Sequence, residues 1–598
     1  MLCMRRALLF LSLFLPALFA SAQQPASLLV DIDHRPATSL NGLWHFIIDP
    51  YRGGWGSNTS NDDTPSERGF ARNQHYTPGP DLLEYDFARS PVLQVPGDWN
   101  TQRQELLYYE GLLWYQRDFT FHPKPHTHAF LHIGAANYAA HVFVNDKHVC
   151  DHEGGYTPFD CEITNVAKDG DNFVVIAVEN QRRIDRVPTV KSDWWNYGGI
   201  TREVSLVEVP ENYIDDESLQ LTHSGEIEGY AHVTGAVTKV TLRIPELHIE
   251  KTAETDAEGR AKFSFHPQGL ELWSPEHPRL YKIEFVTEED HLSDDVGFRT
   301  VEVKGTQILL NGKPIFMRGI CAHAEAPIRG GRAWSEEDVK TLLTWTKELH
   351  GNFIRLAHYP HDENMTRQAD KMGILVWSEI PVYWGIDWTN ERTLQNAKQQ
   401  LHEMIRRDHN KASVILWSMS NETPPGPERT EFLKKLVALA REEDPTRLIT
   451  SAIATPFHSK AATLDDPINA DLDVLGYNEY IGWYTGKPAD APLYQWSNPL
   501  NKPVIISEFG GDAKAGLHGP AAQRFTEEYQ ADLFQQQFKM FEQMPFIAGM
   551  TPWLLMDFRS PVRQLPGIQD GFNRKGLVSD KGEKKKAFFV LQDYYAHK

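Results

Sequence analysis

Two glutamates stand where a carboxylate can work. Glu422 closes the run Val414-Ile415-Leu416-Trp417-Ser418-Met419-Ser420-Asn421, and Glu508 closes Pro503-Val504-Ile505-Ile506-Ser507. A carboxylate placed straight after a continuous apolar strand is held on rigid backbone. Two of them facing each other across a barrel meet the requirement for breaking a glycosidic bond with retention. One attacks the anomeric carbon, and the other protonates the leaving oxygen and then activates water, across a separation of ~5–5.5 Å. A single strand-end Glu is better read as a cap on the following helix, but two with matching surroundings favour chemistry. Their like charges are expected to keep the one that acts as acid protonated at rest.

The elements around them have the period that a barrel requires. After Val303, short apolar strands alternate with amphipathic helices, the pattern of βα units on a parallel sheet. Strands are expected at 314–320, 353–357, 374–380, 414–419, 447–454, 474–480, 504–509 and 547–556, with helices at 336–350, 394–407, 428–443 and 523–542 among them. Eight strands in this length predict a (β/α)8 barrel, whose chemistry sits at the C-terminal strand ends. Upstream, alternating runs such as Asn172-Phe173-Val174-Val175-Ile176 separated by Gly, Asp and Pro clusters predict antiparallel β-structure. The organisation expected is a leader over 1–22, a jelly-roll sandwich over 23–210, an immunoglobulin-like sandwich over 211–302 and the barrel over 303–598.

Composition narrows the partners. A net charge of −21 argues against nucleic acid or an anionic membrane, though one local cation can still receive an anionic sugar. Sixteen Trp and 21 Tyr supply rings on which sugars can stack, beside those that fill the core. Arg5 and Arg6, the apolar run from Ala7 to Ala20 and the small residues Ala20-Ser21-Ala22 read as a signal peptide cleaved before Gln23. The run is too short to span a ~30 Å hydrocarbon core. A periplasmic or secreted protein is expected. Cys150 and Cys161 flank a turn, and both a disulfide and two buried thiols fit their spacing. No His or Cys cluster has metal-ligand spacing, so neither a metal nor another cofactor is expected.

Ser418-Met419-Ser420-Asn421-Glu422 resembles the acid/base signature of glycoside hydrolase family 2, and Ile506-Ser507-Glu508-Phe509-Gly510 resembles its nucleophile signature. The three-domain order is also that family's. The resemblance implies Glu422 as acid/base, Glu508 as nucleophile and Asn421 as donor to the sugar 2-OH. Asn478-Glu479-Tyr480-Ile481-Gly482-Trp483-Tyr484, Ala515-Gly516-Leu517-His518 and Asp193-Trp194-Trp195-Asn196-Tyr197-Gly198-Gly199-Ile200 look like the β-glucuronidase group. They imply Asp193 on the sugar hydroxyls, Tyr480 at the nucleophile, Tyr484 on the substrate and Trp553 as a stacking platform ending strand eight. Asn573-Arg574-Lys575 resembles the N-x-K pair that meets the substrate carboxylate there, with Arg563 assisting. Arg355 and His358 resemble the R-x-x-H-Y-P segment, and Arg355 is expected to hold Glu508 ionised.

Two departures stand out. Relatives carry a His-Glu pair after strand one, whereas His323 is followed by Ala324 and then Glu325. The loop between Ile380 and Leu394 is short, which suggests an open mouth and the end of an oligosaccharide or polysaccharide as substrate. The resemblance implies a homo-oligomer. The leading reading is an exo-acting retaining β-D-glucuronidase, with β-galactosidase or β-galactofuranosidase as alternatives. A non-catalytic glycan-binding protein predicts a lost carboxylate, and both are present.

Overall fold

The computed structural model describes residues 28–55, 67–75 and 84–598, and the leader read over 1–22 lies outside the described residues. Residues 37–210 form two facing antiparallel sheets, one of four strands and one of six. Alternation fixes which side chains face inward. Trp44, Leu113, Val142, Val174 and Ile176 point between the sheets and are buried. Cys150, in the six-stranded sheet, is disulfide-bonded to Cys161, in the four-stranded sheet, with Cα atoms 5.6 Å apart. The bond staples the two layers of the sandwich. Residues 214–296 form a second sandwich of three and four strands around Leu219, Val240, Ile283 and Phe285.

The remainder is a closed parallel barrel of β1 (Met317–Ala322), β2 (Phe353–Leu356), β3 (Leu375–Glu379), β4 (Val414–Asn421), β5 (Leu448–Ala454), β6 (Leu475–Asn478), β7 (Val504–Glu508) and β8 (Ile547–Met550). Its strands are apolar on both faces because helices cover the outside and side chains fill the inside. Every residue of β4 and of β7 is buried. The covering helices include α1 (Glu336–Glu348), α2 (Glu363–Met372), α3 (Glu391–Asp408), α4 (Pro427–Glu443), α5 (Glu527–Phe541) and α6 (Lys586–Ala596). Their starts are written locally. Ser335 and Asp338 form a reciprocal capping box on α1, and Asn390 accepts from Arg392 N at the head of α3. No described helix is long and apolar enough to cross a membrane.

All eight expected barrel strands are present, with two shifts at the ends. Lys313–Ile315 pairs instead into a small antiparallel sheet with Gln307–Leu310, so β1 begins at Met317. β8 stops at Met550, because Pro552 has no N–H for the ladder. Trp553 therefore lies on the loop beyond the strand. Between β5 and β7 the covering elements are 3-10 turns, Pro467–Ala470 and Pro488–Leu493, rather than α-helices.

The jelly roll docks onto the barrel through buried polar contacts. Arg202 donates to Pro360 O at 2.6 Å, and His152 meets Glu403 of α3 at 3.1 Å. A charged knot lies where the N-terminal segment, the second sandwich and the barrel meet. Lys411 reaches both Asp294 oxygens at 2.9 Å and Asp31 at 3.8 Å, with the Glu217 carboxylate clustered beside them.

Candidate active site

Polar side chains converge at the C-terminal ends of β2, β3, β4, β6 and β7. Arg355, fully buried at the end of β2, is the hub. It donates through Nη1 to Glu508 Oε1 at 2.9 Å, through Nη2 to Asn421 Oδ1 at 2.7 Å, and through Nε and Nη2 to Glu379 at 3.1 and 3.0 Å. Glu379 also meets His358 Nδ1 at 2.7 Å and accepts from Trp377 Nε1 at 2.8 Å. Burial pushes the Glu379 carboxyl up, but Arg355 and His358 outweigh it and hold it down to about 2. Glu379 is thus a fixed anion that anchors the hub.

Glu508 has a donor on each oxygen, Arg355 on Oε1 and the Tyr480 hydroxyl on Oε2 at 2.6 Å. Burial still dominates and pushes its carboxyl up to about 8; Arg355 opposes the rise and the charge of Glu422 adds to it. The simple expectation that Arg355 holds Glu508 ionised is therefore only half of the balance. Glu422, in left-handed backbone at φ 48°, accepts from Trp384 Nε1 at 3.1 Å. Asn421 gives its carbonyl to Arg355 and Asn478, while its Nδ2 is buried without a partner among the described residues. A buried amide donor left open is costly unless something outside the chain accepts from it.

The mouth is built from three segments far apart in sequence. Asp193, from the jelly roll, receives Ser560 Oγ at 2.6 Å, Arg563 Nη2 at 2.6 Å and Asn573 Nδ2 at 3.2 Å. Lys575 pairs with Asp512 at 3.0 Å and donates to the exposed Tyr484 hydroxyl at 3.0 Å. Trp553 is buried between rings, stacked on His358 at 4.8 Å and edge-on to His323 at 5.2 Å.

Residues 37–210 and 301–597 match the patterns described as "Glycosyl hydrolases family 2, sugar binding domain" and "Glycosyl hydrolases family 2, TIM barrel domain". The chain belongs to glycosyl hydrolase family 2. Within that family it falls in the β-glucuronidase group. It is similar to the β-glucuronidase of Paenibacillus borealis, 28% identical over 93% of this chain and 96% of that one. The β-glucuronidase of Rattus norvegicus is 30% identical over 93% of this chain and 90% of its own. The crystal structure of a family 2 β-galacturonidase from Eisenbergiella tayi bound to galacturonate superposes with a TM-score of 0.78 at 25% identity, covering 94% of this chain and 98% of that one.

In this family 2 hydrolase hydrogen bonds bring Arg355, His358, Asn421, Tyr480 and Glu508 into one network, whereas several other residues singled out from the sequence point at each other. The expected carboxylate receivers are not free. Arg563 and Asn573 hold Asp193, and Lys575 is matched by Asp512, because a buried cation needs a counter-charge close by. Asp193 correspondingly faces cations as well as the pocket. Trp553 stacks on His358 rather than standing as a free platform. Trp384, Asp512 and Ser560 escaped the sequence reading. The aromatic pair Tyr383-Trp384 on a short loop and the Asp closing Glu508-Phe509-Gly510-Gly511-Asp512 were the available signals.

Proposed function

We propose that this hydrolase is an exo-acting retaining β-glycosidase of terminal β-D-glucuronides, with Glu508 as nucleophile and Glu422 as acid/base. Glu508, aimed by Arg355 and Tyr480, attacks the anomeric carbon while the Glu422 carboxyl protonates the leaving oxygen. The glycosyl ester on Glu508 is then hydrolysed by water that Glu422 deprotonates, which restores the starting configuration. Glu508 is engaged by two donors and Glu422 by one indole N–H, and the first step requires Glu508 as the carboxylate and Glu422 as the acid. Asn421 Nδ2 is the donor for the sugar 2-OH, a contact that strengthens as positive charge develops on the ring.

The observation that carries the uronate reading is a count of donors at the mouth. Lys575 has three N–H groups and spends two, on Asp512 and Tyr484. Arg563 spends Nε and Nη2 on Asp193 and keeps Nη1 uncommitted among the described residues. Two charge-assisted donors thus remain for a sugar carboxylate. Kinetics on 4-nitrophenyl β-glucuronide, β-galacturonide and β-galactoside test this. The glucuronide should lead the galactoside by at least ~100-fold in kcat/KM, about 2.7 kcal/mol of differential binding at the transition state. Equal turnover of the galactoside would overturn the uronate reading; faster galacturonide cleavage would move it to the C4 epimer. A 2-fluoro glycoside trap should place its label on the peptide carrying Glu508.

Export to the periplasm or medium belongs to the same proposal, supported by the leader pattern and by a disulfide suited to an oxidising compartment. The mature N-terminus should be Gln23 on sequencing. The short loop over 380–390, between β3 and α3, leaves room for the end of an oligosaccharide.

A further inference from the structure

A cleft of about 310 Å3 lies between the jelly roll and the barrel, behind the catalytic pocket. Residues 100–107, the loop after β1 and residues 556–581 form its three walls. A two-stranded ribbon, Phe558–Arg559 paired with Phe572–Asn573, divides it from the catalytic pocket. Side chains alternate across such a ribbon. Phe558, stacked on His323 at 4.0 Å, and Asn573, bonded to Asp193, face the catalytic side; Arg559 and Phe572 line the cleft.

The cleft is cationic in an acidic protein. Arg103, Arg329, Arg559 and Lys581 line it against Glu325 and Asp580, in a chain of net charge −21. Arg329 and Lys581 are matched by Asp338 and Asp580. Arg559 has no carboxylate within ion-pair distance among the described residues, although its charge is felt by Glu325. Among the described residues its guanidinium has no hydrogen bond and no ion pair, and it rests over the rings of Phe572 at 4.9 Å and Trp195 at 5.8 Å. The nearest carboxylate to Arg103 is Glu105, at 4.0 Å. Glu325, the residue displaced by one place from the expected His-Glu pair, lines this cleft rather than the catalytic pocket. It accepts from Tyr197 at 2.6 Å, and burial pushes its carboxyl up to about 7. Leu107 and Ile328 supply the apolar surface that one face of a sugar ring requires.

We propose that this cleft is a second carbohydrate site, holding an acidic sugar unit with its carboxylate on Arg559 and Arg103. A sugar hydroxyl meets Glu325, and the apolar ring face lies against Leu107 and Ile328, since the Phe572 ring is already covered by Arg559 and Arg574. A guanidinium preoriented on aromatic rings offers the planar fork that a carboxylate accepts bidentately. The volume is at the lower end of the ~300–1,000 Å3 typical of ligand pockets, enough for one sugar unit rather than a chain. The inference rests on the uronate reading for its choice of ligand but uses no residue of the catalytic pocket.

The test is stoichiometry, measured by equilibrium dialysis of a labelled β-glucuronate disaccharide against full-length Glu508→Gln protein, which cannot turn it over. Two equivalents should bind, falling to one when Arg103→Ser or Arg559→Gln is added, and the carboxyl-reduced disaccharide should leave the cleft empty. If the parent binds one and the arginine variants none, the cleft stands and the uronate specificity of the catalytic pocket falls. If the arginine substitutions leave the count unchanged, the proposal is overturned. Arg103→Ser alone, remote from the catalytic groups, should keep its turnover of an aryl glycoside, which separates lost binding from lost folding.

Discussion

At the residue scale, Glu508 carries two opposed demands. Attack requires the carboxylate, while its buried setting favours the neutral acid and lifts its carboxyl to about 8. An acid whose folded value lies above the ordinary 4.5 of a free Glu carboxyl holds its proton more tightly when folded than when unfolded. Its contribution is therefore fully present below pH 4.5 and is lost as pH rises toward 8. Glu508→Gln removes that loss. Its melting temperature should match the parent's near pH 4.5 and exceed it at pH 8.5 by on the order of a degree or more. A gap independent of pH would contradict the argument. Trp384 gives a second prediction. Its indole is the hydrogen bond that positions Glu422, so Trp384→Phe should lower kcat about tenfold, the equivalent of ~1.5 kcal/mol for a bond to a charged group. KM should change little, and aglycones that leave readily without protonation should be affected least.

At the scale of elements, legibility followed locality. β4 and β7 could be read because both open on an apolar run and carry a carboxylate at the end or just past it, and burial on two faces imposes that apolar start. The end of β8 was overrun because 551–556 is also apolar; only Pro552 marked the stop. The hub on Arg355 was partly visible, since Arg355, His358 and Glu379 end neighbouring strands. Asp512 beneath Lys575 and Ser560 beneath Asp193 were not, because nothing in the local pattern says which distant carboxylate will neutralise a cation. The Cys150–Cys161 staple was undecided for the same reason, as pairing depends on how two sheets stack. Its loop of 11 residues makes the bond worth about 3 kcal/mol in the loop-closure view. The Cys150→Ala, Cys161→Ala double variant should lose roughly that much in a urea melt, with aryl glycoside turnover unchanged below the transition.

At the scale of the whole molecule, the knot around Lys411 ties three regions together. Its ammonium balances Asp294 and Asp31 beside Glu217, all of them buried. Removing one partner from a buried ionic cluster leaves uncompensated charge, so Lys411→Met should cost about 3–5 kcal/mol. The cost should shrink at low pH. Burial, with the charge of Asp294, pushes the Asp31 carboxyl up to about 7, so at pH 5 it carries a proton and needs the ammonium less than at pH 8. Urea melts of parent and variant at the two pH values measure the difference.

Asp193 also sets a clock. The groups that fasten it, Ser560 to Asn573, are made 367 to 380 residues later than it is. A ribosome has made most of the barrel before the pocket can close around a sugar, and each such closure of a long loop carries an entropic cost that sequence-local contacts do not. Activity is therefore the last property this molecule acquires. On refolding from denaturant, the fluorescence of its 16 tryptophans should recover ahead of glycoside cleavage, and a chain shortened before Asn573 should remain silent however well its sandwiches fold.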